Sequence, residues 1–458
     1  MTRRPVAATG RAVAARALAR ARLPLFANAF VLLGNSGVTA ALGFLFWTLA
    51  ARLYPPAEVG LASAAISSAL FVATLAQLGL PYALIRFAPS AGLRRPVLTS
   101  TVVVVVTLAS ALGAVIFVAG ADIWAFALRE MAPPLVLAAA IVALGAATGA
   151  SIVLVYVAVG ARDARPALAA GITQGVVKSV LIVLFAATFA RLGLAVLLAW
   201  LIATIAAVLL QLGLVRALLA ARVDFHLLRL GSFLRYSAGN YAGDLAWAAP
   251  GLLFPLLVVG TLGAEENAYF YVAWAVASLL VAIPSAVATS FLAEGSGAHG
   301  ATGPHLRRAF GLALVLVVPA IVVCWAGAPV LLGLFGAPYA ANGVETLRLL
   351  AIAALPLSLN ILHLTAARVD RMMRRIIGIA SATGGGALVI GAALVQQYGA
   401  VGIALGYLVA HLMVATILTA EWWLRSRTGA IGRRAGPATH GMRSTDHDLK
   451  AGSPGDGV

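Results

Sequence analysis

Charge is what this chain of 458 residues has least of: 10% of its positions are Asp, Glu, Lys or Arg, against 62% hydrophobic. An average soluble domain is about 25% charged. So little polar surface excludes a water-soluble enzyme of this length, and so much apolar surface excludes a disordered chain. Cysteine is reduced to Cys324, which excludes an intramolecular disulfide; it lies in the apolar run Ile321–Trp325 and reads as a small buried residue. No Cys/His cluster has metal-ligand spacing, so neither a metal nor another cofactor is expected. Catalytic machinery is missing too. The longest inner connection, about 216–235, offers only Asp224 and His226, so the chain reads as a non-enzyme.

Long apolar runs fill the space. Spans fall at about 26–50, 58–80, 97–120, 133–158, 166–190 and 193–215, and again at about 236–260, 267–292, 306–330, 342–364, 376–395 and 399–422. Each is close to the roughly 20 residues that cross a bilayer as a helix. Lipid leaves every backbone N–H to be satisfied within its own segment, and these runs lack the alternation of barrel strands.

The net charge of +17 resembles that of a nucleic-acid binder until the 32 basic residues are sorted by connection. Six lie in the N-terminal arm, from Arg3 to Arg22, and the second connection holds Arg86, Arg94 and Arg95. The sixth holds Arg216, Arg222, Arg229 and Arg235, and the tenth holds Arg368, Arg371, Arg374 and Arg375. With the fourth and eighth connections and the C-terminal tail, 27 fall on one side. The other side has Arg52, Arg129, Arg191 and Arg348, and Lys178 lies inside a span. The positive-inside rule then places both termini in the cytoplasm with twelve crossings between them, in a cell (inner) membrane, and no nucleic acid as partner. Residues 1–25 form a basic arm against anionic lipid rather than a cleaved signal, and 423–458 form a disordered tail.

Each half begins alike. Leu33-Gly34-Asn35-Ser36-Gly37 answers to Ala238-Gly239-Asn240-Tyr241-Ala242, and Ala57-Glu58-Val59-Gly60 to Ala264-Glu265-Glu266-Asn267, at offsets of 205 and 207. Six crossings per half make the repeats parallel. The expected fold is all-α: two six-helix lobes, 26–215 and 236–422, joined by a linker at 216–235 around a central cavity.

Here a family resemblance appears. Leu49-Ala50-Ala51-Arg52-Leu53-Tyr54-Pro55-Pro56-Ala57-Glu58-Val59-Gly60 closes one span and opens the next, and Leu78-Gly79-Leu80-Pro81-Tyr82-Ala83-Leu84-Ile85-Arg86-Phe87 follows it. With Tyr236–Gly295, these resemble the polysaccharide-biosynthesis, or oligosaccharide flippase, proteins of the MOP superfamily, which also holds MATE exporters and lipid II flippases. The resemblance extends over about 22–422. It implies a MATE-like fold and alternating access. The implied cargo is a polyprenyl-pyrophosphate-linked glycan, with membrane lipids and glycan-assembly enzymes as neighbours. It implies no catalytic residue and does not set an oligomeric state.

Polar groups inside spans mark candidate sites, because an ionisable group at mid-bilayer costs at least about 2.5–3.5 kcal/mol. Lys178 lies about eleven residues, roughly 16 Å, into the fifth span. Gly171, Gln174, Gly175 and Lys178 share one face, a point charge for a pyrophosphate. In the seventh span Asp244 shares a face with Asn240, Gly243 and Trp247; it is read as an ion-coupling carboxylate or as the counter-ion of Lys178. Asn35 and Thr39 in the first span suit sugar hydroxyls, and Arg86 and Arg235 a cationic rim. His363 and His411 read as packing residues. Pro250, Pro255, Pro284, Pro319, Pro329 and Pro356 crowd the second half and read as bends. Two functions compete: a flippase or exporter of lipid-linked glycan, and an ion-coupled small-molecule antiporter using Asp244.

Overall fold

Proline opens the helices of this chain and glycine separates them. In a helix's first turn the missing N–H of proline costs nothing and its fixed φ is already helical. In the first half α1 runs Pro24–Leu53, α2 Pro56–Ala76, α3 Leu80–Phe87 and α4 Arg95–Ala119. Then follow α5 Pro134–Gly160, α6 Arg165–Thr188 and α7 Gly193–Val215. The second half holds α8 Leu230–Leu262, α9 Ala264–Ser278, α10 Ala282–Gly295, α11 Thr302–Ala326, α12 Ala337–Val369 and α13 Met373–Arg427. Proline stands in the first turn of α2, α3, α4, α5 and α12. This computed structural model describes residues 24–188, 192–227, 230–295 and 302–427, and among them there is no strand.

Ten helical stretches are long and apolar enough to cross a membrane, and Gly37–Leu53 is a shorter apolar segment. One of the ten, Met373–Leu424, contains Gly399 at φ 59°, a conformation that suits glycine and breaks α13 into two limbs. The limbs fold back on each other so tightly that a Cβ on Gly406 would lie 2.5 Å from the Gly391 nitrogen. The observed bounds track the expected spans, with three differences. α8 begins at Leu230, inside the expected linker, and α13 continues to Arg427, into the expected tail. The eighth span is not one helix: α9 ends at Ser278, a 3₁₀ turn covers Leu279–Val281, and α10 starts at Ala282. Pro284 offers no N–H to the carbonyl four residues back, so the α-helical ladder lapses there.

Packing within the first half runs α1 on α6, α6 on α7 and α4 on α5; in the second, α13 joins α8 to α12, and α12 also holds α9 and α11. The halves meet chiefly where α2 lies against α8 and α9. Gly60 lets α2 touch α9: a Cβ there would fall on the Ala264 carbonyl. Beside it the buried Asn267 donates through Nδ2 to the Gly60 carbonyl at 2.7 Å and to Ser63 Oγ at 3.0 Å. Asn267 and Gly60 are 207 residues apart, the offset at which the expected repeat sets them in correspondence. A residue touching its own equivalent is the contact that a two-fold axis between the halves produces. Asn267→Ala is expected to lower stability by about 1–3 kcal/mol, from two neutral hydrogen bonds at about 0.5–1.5 kcal/mol each, read as a fall in the thermal midpoint in detergent.

Candidate functional site

One end of the bundle carries the arginine-rich connections, and there three helices bring charge together. Leu78 and Gly79, at φ 50° and 71°, turn the chain out of α2, and Pro81 starts α3. This sets Tyr82 against α8, where its hydroxyl donates to Asp244 Oδ2. Arg368, in the last turn of α12, donates through Nη2 to Asp244 Oδ1 at 2.7 Å. Asp244 thus joins both halves of the chain with one carboxylate. A second link lies nearby: Tyr241 of α8 donates to the Leu75 carbonyl of α2 at 2.5 Å.

Asp244 and Arg368 border a cavity of about 370 Å³ between α8, α10 and α12. Ile361, Leu364, Thr365 and Arg368 line it from α12 at helical spacing, and Val281, Ser285, Ala288 and Thr289 line it from the broken eighth span. Trp247, one turn past Asp244, supplies an aromatic wall and stands edge-on to His411, with ring centroids 5.6 Å apart. Ser285, Thr289 and Thr365 each donate to a carbonyl four residues back at 2.8 Å, which leaves their oxygen lone pairs free to accept.

Lys178 lies near the middle of α6 and is 5% exposed. Its ammonium sits 3.8 Å from the Trp200 ring centroid and 5.0 Å from that of Phe46. Phe46 and Trp200 belong to an aromatic cluster that continues through Trp47 to Tyr271 of α9, with Trp47 and Tyr271 centroids 4.6 Å apart. Among the described residues Lys178 has no salt bridge, and Asp244 pairs with Arg368 instead. Of the two readings of Asp244, the counter-ion of Lys178 is the one the geometry does not bear out: Asp244 and Lys178 stand in separate surroundings. Carboxylate and guanidinium meet at the border of the cavity that α8, α10 and α12 enclose; the ammonium is turned into the aromatic packing between α1, α6 and α7.

The other expected residues divide. Gln174 donates through Nε2 to Thr204 Oγ1 at 2.9 Å, a bond between α6 and α7. Gly175 packs on Leu42 of α1, where an added Cβ would lie 2.6 Å from Leu42 Cβ. The polar stripe of the fifth span is thus in large part a packing seam. Thr39 is half-buried on α1, and Arg86 is exposed on α3. Asn35, Arg235 and Asn240 fall on α1 and α8, but their side chains lie outside the described residues. His411 accepts from Asn360 through Nδ1 at 3.2 Å, and the His363 ring lies tilted against Phe310 with centroids 5.0 Å apart.

The family-like stretches prove to be joints. Glu58 Oε2 accepts from the Gly193 amide at 2.5 Å and so caps the start of α7. Arg52 donates to the Leu334 and Gly333 carbonyls at 2.8 Å, and Tyr54 to the Ile182 carbonyl at 3.0 Å. Arg368, Tyr82 and Trp247 were not singled out as site residues. The stripe Ile361, Leu364, Thr365, Arg368 was the available signal, since it carries the helical period past the expected end of the tenth span.

No family model and no curated protein matches the chain. Solved structures do. An inward-facing multidrug resistance MATE family transporter of the MOP superfamily superposes with a TM-score of 0.65 at 16% identity, covering 87% of this chain and 96% of that one. Lipid II flippase MurJ in an inward closed conformation gives 0.67 at 12% identity, covering 85% and 87%. A MOP superfamily transporter from Pyrococcus furiosus, whose binding pocket is described as reversed in polarity, gives 0.56 at 14% identity, covering 89% and 97%. The fold of this chain is that of the MOP-superfamily transporters.

Proposed function

We propose that this chain moves a lipid-linked oligosaccharide or polysaccharide precursor across the cell membrane by alternating access. Two six-helix lobes, about 26–215 and 236–422, rock about the α2–α8–α9 contact, with both termini cytoplasmic. The glycan and pyrophosphate travel through the interior while the polyprenyl chain stays in lipid. No covalent step is needed.

One observation carries the reading: among the described residues the ionisable groups set within the spans leave one lysine over. Among the described residues the carboxylate of Asp244 is matched by Arg368, and Lys178 is buried with no carboxylate beside it. A surplus positive charge in a water-poor interior favours an anionic cargo. A lipid II flippase among the structures of like fold agrees with this. The MATE structures support the antiporter as a second reading. That reading needs Asp244 to take a proton or cation in competition with Arg368, which donates to it. Pro250, Pro255, Pro319 and Pro356, all inside helices, fit a second lobe that bends during the cycle.

The test is depletion of the protein while lipid-linked glycan is followed on the cytoplasmic face. Accumulation, reversed by the wild-type chain, is the expected result. Unchanged glycan together with altered drug sensitivity overturns the proposal in favour of the antiporter.

A further inference from the structure

We infer that the 370 Å³ cavity between α8, α10 and α12 is the seat for the sugar-phosphate head of a lipid, with Arg368 taking the phosphate and Asp244 serving as a built-in competitor for it. The inference rests on the function proposed above and names the site at which its cargo is held.

The volume lies in the range of ligand pockets, about 300–1,000 Å³. The chemistry of its wall matches two parts of one ligand. A guanidinium presents paired N–H donors that fit a phosphate. Asp244 occupies one of them, and its side chain and that of Arg368 are 36% and 41% exposed. The pair therefore faces open space rather than sealed packing. An exposed pair of this kind is weak and open to exchange, unlike a buried one. Beyond it, Ser285, Thr289 and Thr365 have spent their protons on helix carbonyls and present acceptor oxygens. Acceptors are what sugar hydroxyls require, and Trp247 adds an apolar face for a sugar ring. Phosphate alone would not call for the acceptor row; a neutral sugar would not call for Arg368.

Asp244 lies within α8 and Arg368 in the last turn of α12, so the seat opens toward the end of the bundle that carries the arginine-rich connections. A lipid carrier would leave its chain among acyl chains and bring only its head to Arg368. Asp244 keeps a second partner, Tyr82, on its other oxygen. An incoming phosphate thus displaces Oδ1 from Arg368 while Asp244 stays anchored through Oδ2. The retained carboxylate then repels the ligand, which keeps binding weak enough for release.

The experiment uses the full chain in lipid nanodiscs and native mass spectrometry. The probe is farnesyl-pyrophosphate-linked N-acetylglucosamine; farnesyl pyrophosphate and glucose 1-phosphate separate the lipid and sugar contributions. Arg368→Gln is expected to weaken binding of the full probe at least tenfold, and Arg368→Lys to keep most of it. Asp244→Asn is expected to tighten it about tenfold, because competitor and repulsion both disappear. The double variant D244N/R368Q leaves no unpaired charge, so it folds where R368Q alone fails, and it is expected to bind weakly. The lipid-linked probe should outbind glucose 1-phosphate. Equal binding by wild type and R368Q, or weaker binding by D244N, overturns the seat and leaves the transport proposal standing. Failure of the wild type to bind any phosphate probe removes both.

Discussion

Gly384→Val is expected to leave no folded protein to purify, and Gly60→Val to leave protein whose two halves no longer hold together. Both glycines stand where helices touch backbone to backbone. A Cβ at Gly384 would fall on the Ala246 carbonyl of α8, and one at Gly60 on the Ala264 carbonyl of α9. In a bilayer, small residues supply the close approach that apolar burial supplies in water. The listener to each clash is a backbone carbonyl, which has no rotamer to give, so whole helices must separate. Overpacking a core usually costs about 1–3 kcal/mol; displacing a helix belongs to the rare class above about 4–5 kcal/mol. The outcomes differ because the partners differ. α13 with α8 is internal to the second half, whereas α2 with α9 joins the halves. Gly378→Ala serves as the control, since nothing lies within 4 Å of its Cβ direction; it should be neutral or stabilising by about 0.5–1 kcal/mol. Size-exclusion profiles in detergent and limited proteolysis between the halves read out all three. A folded Gly384→Val protein with wild-type thermal stability would show that the α8–α13 contact is not close-packed.

The helices were legible because lipid leaves the chain few choices. A run of about 20 apolar residues between polar breaks has to be a helix, and Pro55-Pro56 stood at one such break. Gly60 and Asn267, which the sequence set in correspondence at an offset of 207, are bonded in the fold. What escaped was pairing. Asp244 and Lys178 both stood out as ionisable groups within spans, and their opposite charges suggested a pair. Which charge meets which depends on which helices face one cavity, and no periodicity within one helix encodes that. Arg368 was counted as a topology marker because its neighbours Arg371, Arg374 and Arg375 are such markers. Arg375 in fact pairs with Glu421 at 2.9 Å, close to the same end. Tyr82 lay in a stretch that carried a family resemblance, which drew attention to its helix-end glycine and proline rather than to its hydroxyl. The break in the eighth span was half visible: Pro284 signalled a bend, but not that three residues of 3₁₀ turn would open the wall of a cavity.

Lys178→Met is expected to raise stability and abolish export, a combination that separates a functional charge from a structural one. The wild-type ammonium is almost wholly buried, at 5% exposure, and rests on the rings of Trp200 and Phe46. Removing an ion from water costs several kcal/mol even after relaxation, and a cation–π contact returns only about 2 kcal/mol when desolvated. No carboxylate or hydrogen bond among the described residues makes up the difference. Methionine is similar in reach, apolar and adaptable, so it keeps the packing on Phe46 and Trp200 without the charge. The stability gain should be about 1–3 kcal/mol, seen as a higher thermal midpoint in detergent. Residues retained at such a cost are those that function requires, and substituting them commonly trades activity for stability. Under the proposed function, export of lipid-linked glycan should fall to the level of the depleted strain, with membrane abundance at or above wild type. Lys178→Ala should lose export as well, but should lose stability too, since it opens a cavity under two aromatic rings. A Lys178→Met protein that is less stable than wild type would mean that the ammonium holds the aromatic cluster together. One that is more stable and still exports would mean that the buried charge has no part in transport. The expected result, a more stable protein that exports nothing, ties the buried charge to the anionic cargo, because no gain in packing accounts for keeping a lysine there.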